Sequence, residues 1–185
     1  DPPERGLRRA LIRYREALGG SEQARAYVEG RALSVETLRA YGCGFAPAGE
    51  WIGDPNGPQI VTPNTTPSGQ LVNLDARNIG DGAQRRYDRL TGNPTALFNA
   101  SAIAEGSGPV VFCEGPFDAL SFIEAGHART IALHNTSGVP WQALRGNASA
   151  LVFAFDDDET GREDAVNRAR EAVRRGYEAH ILSEG

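Results

Sequence analysis

Two groups of acidic residues in this chain have the type and position that metal-dependent chemistry requires. The first lies in residues 113–118 (CEGPFD) and the second in residues 155–162 (FDDDETGR). Each follows an apolar run typical of a buried strand, and each precedes a helical pattern. In an open α/β sheet, ligands bind at the edge where strands end and helices begin. We therefore expect both groups at one sheet edge.

Carboxylates that are close together repel one another, and a divalent cation is the usual remedy. Glu and Asp offer hard oxygen ligands, which suit Mg²⁺ or Mn²⁺, and Mg²⁺ commonly links carboxylates to substrate phosphates. The pattern therefore indicates metal-assisted phosphoryl chemistry. The structural alternative is an acidic turn at a helix N-terminus, where Asp and Glu are favourable because of the helix dipole.

The elements that position these groups differ between the two halves of the chain. The first half predicts a helix over 6–18, a second helix with Ser21 as its N-cap and a third over 34–41 with Ser34 as its N-cap. Short antiparallel strands are predicted near 59–62 and 70–77. The second half alternates strands at 109–114, 130–134, 150–155 and 177–182 with helices at 116–125, 140–145 and 160–175. Such alternation predicts a parallel sheet with right-handed crossovers.

The acidic spacing resembles that of a Toprim domain, the module shared by bacterial primases, topoisomerases and some nucleases. Glu114-Gly-x-x-Asp118 matches its first motif, and Asp156-x-Asp158-x-x-Gly161 matches its second. The resemblance implies Glu114, Asp156 and Asp158 as catalytic residues. It also implies a two- or three-metal site for Mg²⁺ or Mn²⁺, with Asp118 as a further ligand.

The amino-terminal half resembles the segment that precedes Toprim in DnaG-type bacterial primases. The similarity lies in residues 24–47, 74–78, 85–87 and 97–99. It implies an α/β fold: a small mixed α+β primase subdomain over 1–104, then a Toprim parallel-sheet domain over 105–185. The shorter middle segment favours a divergent, phage- or plasmid-like member. The chain has no methionine, which predicts a piece of a longer protein.

The resemblance implies a DNA-directed nucleotidyltransferase that makes short RNA primers on a single-stranded DNA template from nucleoside triphosphates. A replicative helicase is a further expected partner, through parts outside these residues. Guanidiniums bind phosphates, and a tyrosine can stack on any base. The expected nucleic-acid or nucleotide contacts are Arg77, Asn78, Arg85, Arg86, Tyr87, Asn99 and Arg162. For the arginines of the middle segment, Arg89 included, the alternative is a salt-bridged surface with Asp81 and Asp88. For Arg162, the alternative is a pair with Glu159 or Asp158.

Composition limits these expectations only loosely. The net charge of −5 is concentrated near the acidic groups, where bound cations would offset it. No apolar stretch approaches the ~20 residues of a membrane span, so we expect a cytoplasmic protein with no membrane partner. Cys43 and Cys113 lack partners at metal spacing and are expected to be buried or half-buried. Two rivals remain: a primase-like single-stranded DNA-binding module of a helicase-primase with little synthesis, and a Toprim nuclease.

Overall fold

The computed structural model describes residues 2–53, 57–81, 86–90, 96–134 and 138–182. The chain divides into two compact units. The first unit contains Asp1–Thr66 and Gln70–Ala96, and the second contains Pro67–Gly69 and Leu97–Gly185. The domain boundary that the sequence places between residues 104 and 105 stays a prediction.

Three helices begin the first unit: α1 (Pro2–Leu18), α2 (Glu22–Glu29) and α3 (Val35–Ala40). The predicted caps are confirmed, because Oγ of Ser21 accepts from the backbone N–H of Ala24 and Oγ of Ser34 accepts from that of Thr37, both at 3.1 Å. A side-chain acceptor at this position satisfies an N–H that has no partner within the helix. Helix α1 begins earlier than the predicted Gly6, since proline is tolerated in a first helical turn.

The sheet of the first unit is antiparallel, as predicted. Its strands pair in the order β1 (Gly44–Ala46), β2 (Gln59–Thr65), β3 (Leu71–Asn78) and β4 (Tyr87–Arg89). Tyr14 of α1 packs with Val61 and Leu74 of the sheet in one apolar cluster. This burial of helix against sheet supplies the hydrophobic stabilisation of the first unit.

The second unit has the predicted alternation of strands and helices. In chain order its elements are β5 (Leu97–Phe98), a 3₁₀ helix (Ala100–Ala104), β6 (Val110–Cys113), α4 (Pro116–Glu124), β7 (Thr130–Ala132), α5 (Trp141–Leu144), β8 (Ala150–Ala154), α6 (Glu159–Arg174) and β9 (Glu178–Ile181). Strands β6 to β9 are mutually parallel, which confirms the predicted sheet. The added strand β5 pairs antiparallel with β7, and its two residues are too few to show a periodic pattern.

The strand order of the second unit determines where its ligand edge lies. The order is β5-β7-β6-β8-β9, so the chain moves from β6 to β7 on one side and then to β8 on the other. In doubly wound sheets this reversal opens a crevice at the carboxyl ends of the two strands that flank it. Here those strands are β6 and β8, which immediately precede the two acidic groups. Every helix in the described residues is too short or too polar to span a bilayer.

Arg129, just before β7, ties together three backbone segments of the second unit. Its guanidinium donates to the carbonyls of Ala102, Ile103 and Gly106 at 2.9–3.1 Å. It also makes short hydrogen bonds to the carbonyls of Gly108 and Asn147. Its nitrogens thus bind five carbonyls that lie before β6 and before β8. The sequence analysis did not identify this residue, because its partners are backbone atoms with no side-chain signature.

We expect Arg129→Ala to lower the free energy of unfolding by about 3 kcal/mol, because several carbonyls lose a charged donor. Arg129→Lys should recover only part of the loss, since an ammonium has three donors and no planar geometry. Urea unfolding followed by circular dichroism measures both changes. The exposed Arg145 provides the control, and Arg145→Ala should stay within about 0.5 kcal/mol. Equal effects at both positions would contradict the role given to Arg129.

Both cysteines are buried, as predicted. Burial raises the pKa of the Cys43 thiol to about 12. The pKa of Cys113 is also raised, first by burial and then by the negative charges of Asp118, Asp156 and Glu114. Because the thiolate is the reactive form, neither side chain is suited to nucleophilic chemistry near neutral pH.

Neither thiol should react with Ellman's reagent in the folded protein at pH 8, and both should react after unfolding in urea. Since their pKa values are raised, the thiols stay protonated at this pH. A variant with one exposed thiol, Ser149→Cys, serves as the positive control. Rapid reaction of a native cysteine would contradict the burial described above.

Candidate metal and nucleotide site

The two acidic groups meet at the crevice between β6 and β8. Glu114 follows β6, and its Oε1 accepts from the backbone N–H of Asp156, which follows β8, with 3.1 Å between nitrogen and oxygen. These two residues are 42 positions apart in sequence, so the contact is made by the fold. The sequence-based expectation that both groups lie at one sheet edge therefore agrees with the geometry.

Gly161 makes this contact possible. A Cβ at this position would lie 2.2 Å from the carbonyl oxygen of Asp156 and 2.9 Å from Oε1 of Glu114. Real side chains do not approach backbone oxygens this closely, so any side chain at this position would displace the segment that follows β8. The need for glycine here is one of space, because φ of Gly161 lies outside the left-handed region.

Asp158 is the N-cap of α6, and Asp118 lies in the first turn of α4. Oδ1 of Asp158 accepts from the backbone N–H of Gly161 at 2.7 Å and caps α6. Oδ2 of Asp118 accepts from the backbone N–H of Gly115 at 3.0 Å at the start of α4. The structural role considered in the sequence analysis is therefore present for both residues. A carboxylate has two oxygens, so a cap does not by itself prevent metal binding.

The electrostatics of Glu114 reflect the crowding of negative charge. Its pKa is raised, first because partial burial disfavours the charged carboxylate. The charges of Asp156, Asp158 and Asp118 raise it further, whereas the N–H donated by Asp156 lowers it. These carboxylates thus interact electrostatically in a way that a bound cation would relieve.

The donor chemistry suits a hard divalent cation, because all four side chains offer carboxylate oxygens from one sheet edge. Asp156 and Asp158 are exposed, so both side chains are accessible from solvent. Within the parts of the chain that the structure describes, no three acidic, His or Cys side chains are already close enough to hold a metal ion. The residues therefore fit such an ion in type and placement, and their side chains would have to converge on it.

Arg162 is near the acidic groups, with a partner that the sequence analysis did not consider. Its Nη1 donates to Oδ1 of Asp157 at 2.9 Å. The predicted alternative had named Glu159 or Asp158 as the partner and was wrong in that detail. Oδ1 of Asp158 accepts from the backbone N–H of Gly161 instead.

Of the expected nucleic-acid contacts of the first unit, Arg77 and Asn78 lie on β3, Tyr87 lies on β4, and Arg86 immediately precedes β4. Nη1 of Arg77 donates to the hydroxyl of Tyr87 at 2.5 Å, and its guanidinium lies 4.6 Å from the centre of that ring. Tyr87 is 43% exposed, so its ring is accessible for stacking. Arg86 is also exposed, whereas Arg85 lies outside the described residues.

Two predicted contact residues have structural hydrogen bonds. Oδ1 of Asn78 accepts from the backbone N–H of Gly80 at 2.9 Å. Asn99 has a left-handed backbone (φ 58°), and its amide nitrogen donates to the carbonyls of Ala128 and Thr130 at 3.1 and 2.9 Å. These bonds fix the local chain around both residues. Their predicted roles as ligands of nucleic acid or nucleotide stay predictions.

Arg89 also has a partner other than those expected. Its guanidinium forms two bonds, 2.7 and 3.0 Å long, to the carboxylate of Asp75. The sequence analysis considered a salt-bridged surface for the arginines of this segment, but the cross-strand register is what brings Arg89 opposite Asp75. This register is not visible from local sequence.

His134 is a residue near the site that the sequence analysis left without a role. Its backbone N–H donates to the carbonyl oxygen of Glu114 at 2.9 Å, and its φ of 47° is left-handed. A positive φ is uncommon for a residue with a side chain and often marks a functional turn. His134 therefore helps to fix the backbone of Glu114 from the neighbouring strand end.

We expect Gly161→Ala to lower the free energy of unfolding by about 2 kcal/mol, because the added methyl overlaps the Asp156 carbonyl. Hydrogen exchange at the amide of Asp156, measured by NMR, should accelerate as its bond to Glu114 is lost. The control is Gly6→Ala in α1, where an added Cβ meets nothing within 4 Å. An unchanged exchange rate at Asp156 would contradict the spatial constraint.

Known proteins resemble this chain in sequence. Residues 111–184 match a family model described as Toprim-like. A DNA primase of Neisseria meningitidis is 24% identical over 197 residues, which cover 86% of this chain and 33% of that protein. The chain thus spans about a third of that relative's length.

Solved structures of primases have the same fold. The zinc-binding and RNA polymerase domains of the Aquifex aeolicus primase superpose with a TM-score of 0.73 at 20% identity, over 97% of this chain and 54% of that one. A DnaG primase catalytic domain bound to single-stranded DNA gives a TM-score of 0.75 at 18% identity, over all of this chain and 73% of that one. The expected fold class is confirmed, and the chain has the fold of the DnaG-type primase catalytic core, with a Toprim-like carboxy-terminal part.

Proposed function

We propose that this chain is the catalytic core of a DNA primase, which synthesises short RNA primers on single-stranded DNA in a metal-dependent reaction. The observation that carries the proposal is the junction of Glu114 and Asp156 across the crevice between β6 and β8. It joins two carboxylate groups of Toprim spacing at the edge where this class of sheet binds ligands. The similarity to DNA primases supports the choice of reaction.

In this proposal Glu114, Asp118, Asp156 and Asp158 hold Mg²⁺ or Mn²⁺. When bound, such ions supply charge stabilisation for the attacking and leaving oxygens of a phosphoryl transfer. Asp158 also holds the first turn of α6 in place through the N–H of Gly161. The same fixed turn positions Arg162, whose guanidinium can bind a phosphate of the incoming nucleotide.

The template is proposed to contact the polar side chains on β3 and β4. The ring of Tyr87 is exposed and is fixed by Arg77, which suits stacking on a base of any identity. Arg86 and Arg77 carry positive charge for the phosphate backbone. A primase neighbour solved with single-stranded DNA supports this assignment of partner. Nucleoside triphosphates, a replicative helicase and a cytoplasmic location remain parts of the same proposal.

Combined replacement Asp156→Ala plus Asp158→Ala should reduce primer synthesis at least about 100-fold, because two proposed ligands and several kcal/mol of charge stabilisation are removed. The assay is extension on single-stranded DNA with labelled nucleotides and Mg²⁺ or Mn²⁺, with one arm that contains a short annealed primer. The control pair Glu124→Ala plus Glu178→Ala removes two exposed acids from the same unit and should retain activity.

The two rival functions give different outcomes in this assay. A single-stranded DNA-binding module would bind the template and give no product in either arm. A Toprim nuclease would degrade nucleic acid in the presence of metal and without added nucleotides. Product that persists in the Asp156 and Asp158 variant would contradict the proposed carboxylate site.

A further inference from the structure

An ion pair sits beside the proposed metal ligands, and the reaction as described above does not use it. Asp157 lies between Asp156 and Asp158, and its Oδ1 accepts from Nη1 of Arg162 at 2.9 Å. The side chains of Asp157 and Arg162 are 39% and 59% exposed. Solvent therefore reaches both partners, and exposed pairs of this kind are weak.

Arg162 is well placed to bind an anion. Residues 156–164 contain six acidic side chains and one basic side chain, Arg162. Arg162 is therefore the one side chain of this segment whose charge attracts an anion. It lies in the first turn of α6, next to the capped N–H of Gly161. A guanidinium has five donors, so Nη1 can exchange Asp157 for a phosphate oxygen, and the remaining donors can form a bidentate contact.

We propose that Asp157 is an internal competitor of the nucleotide phosphates for Arg162. In the free protein, Asp157 orients the guanidinium toward the sheet edge. When a nucleoside triphosphate binds, Arg162 moves from this single carboxylate to the more highly charged phosphates. Asp157 thereby lowers the affinity for nucleotide by a factor that the strength of its pair with Arg162 determines. The inference rests on the proposed nucleotide-binding function of this edge.

The exchange is physically accessible because the weak pair costs little to open. Charge-assisted bonds to a phosphate are roughly twice as strong as neutral ones, and a triphosphate offers several acceptor oxygens.

General electrostatics is a second effect that could change nucleotide affinity in the same direction. Removal of any nearby acid would favour an anion through general electrostatics, which salt screens. The test therefore compares acids at equal charge and includes variants that lack Arg162.

The first measurement is binding of a fluorescent ATP analogue to the 185-residue chain in Mg²⁺, with competition by ATP, inorganic triphosphate and inorganic phosphate. Asp157→Asn should tighten ATP and triphosphate binding roughly threefold, in line with the strength of an exposed pair. Glu159→Gln removes an equal charge from an exposed neighbour at the start of α6 and should change affinity less. Inorganic phosphate should gain by a similar factor, because a competitor for one guanidinium lowers the affinity of every anion that binds there by the same ratio.

A double-mutant cycle assigns the effect to Arg162. In an Arg162→Gln background, Asp157→Asn should change nucleotide affinity no more than Glu159→Gln does, because the competitor has lost its target and only the general electrostatic effect remains. The same gain in both backgrounds, or an equal gain from Glu159→Gln, would overturn the proposal in favour of general electrostatics. Absence of nucleotide binding in every variant would overturn it as well.

Steady-state kinetics separate this inference from the proposed function. In primer extension, Asp157→Asn should lower KM for nucleotide without an equal rise in kcat, because the competition affects binding. Primer synthesis with an unchanged KM would leave the primase proposal intact and reject the role of Asp157. Arg162-dependent nucleotide binding without any synthesis would support the role of Asp157 and reject the primase proposal.

Discussion

The candidate site depends on close contact between the ends of two parallel strands. Oε1 of Glu114 accepts the backbone N–H of Asp156 across the crevice between β6 and β8. The absence of a side chain at Gly161 leaves room for this contact. The hydrogen bond therefore holds the segment that follows β8, and the missing side chain at Gly161 leaves room for that segment. This segment positions Asp156, Asp157 and Asp158.

Negative charge is the second constraint on this edge. Partial burial raises the pKa of Glu114, and the negative charges of Asp156, Asp158 and Asp118 at the same sheet edge raise it further. Backbone N–H groups offset part of the repulsion, since Asp156, Gly161 and Gly115 each donate to one of these acids. Arg162 offsets a further part through Asp157. A sheet edge of this kind is suited to cations and to the phosphates that accompany them.

The support beneath this edge comes from contacts that have no motif. Arg129 binds backbone carbonyls before β6 and before β8, so it fixes the approach to both strands that supply the carboxylates. His134 binds the carbonyl of Glu114 from the end of β7. In the first unit, the pairing of β3 with β4 brings Arg89 to Asp75 and Arg77 to Tyr87. All these contacts join residues distant in sequence.

Local sequence determined most of the elements and the identity of the acidic groups. Apolar periodicity, Ser21 and Ser34 as caps, and strand-to-helix alternation are short-range signals, and they predicted the helices and the parallel sheet. The tertiary structure alone decided that Glu114 binds the backbone of Asp156, that Asp157 holds Arg162, and that Arg129 binds five carbonyls. Strand order and register place these atoms, and both depend on the packing of the whole chain.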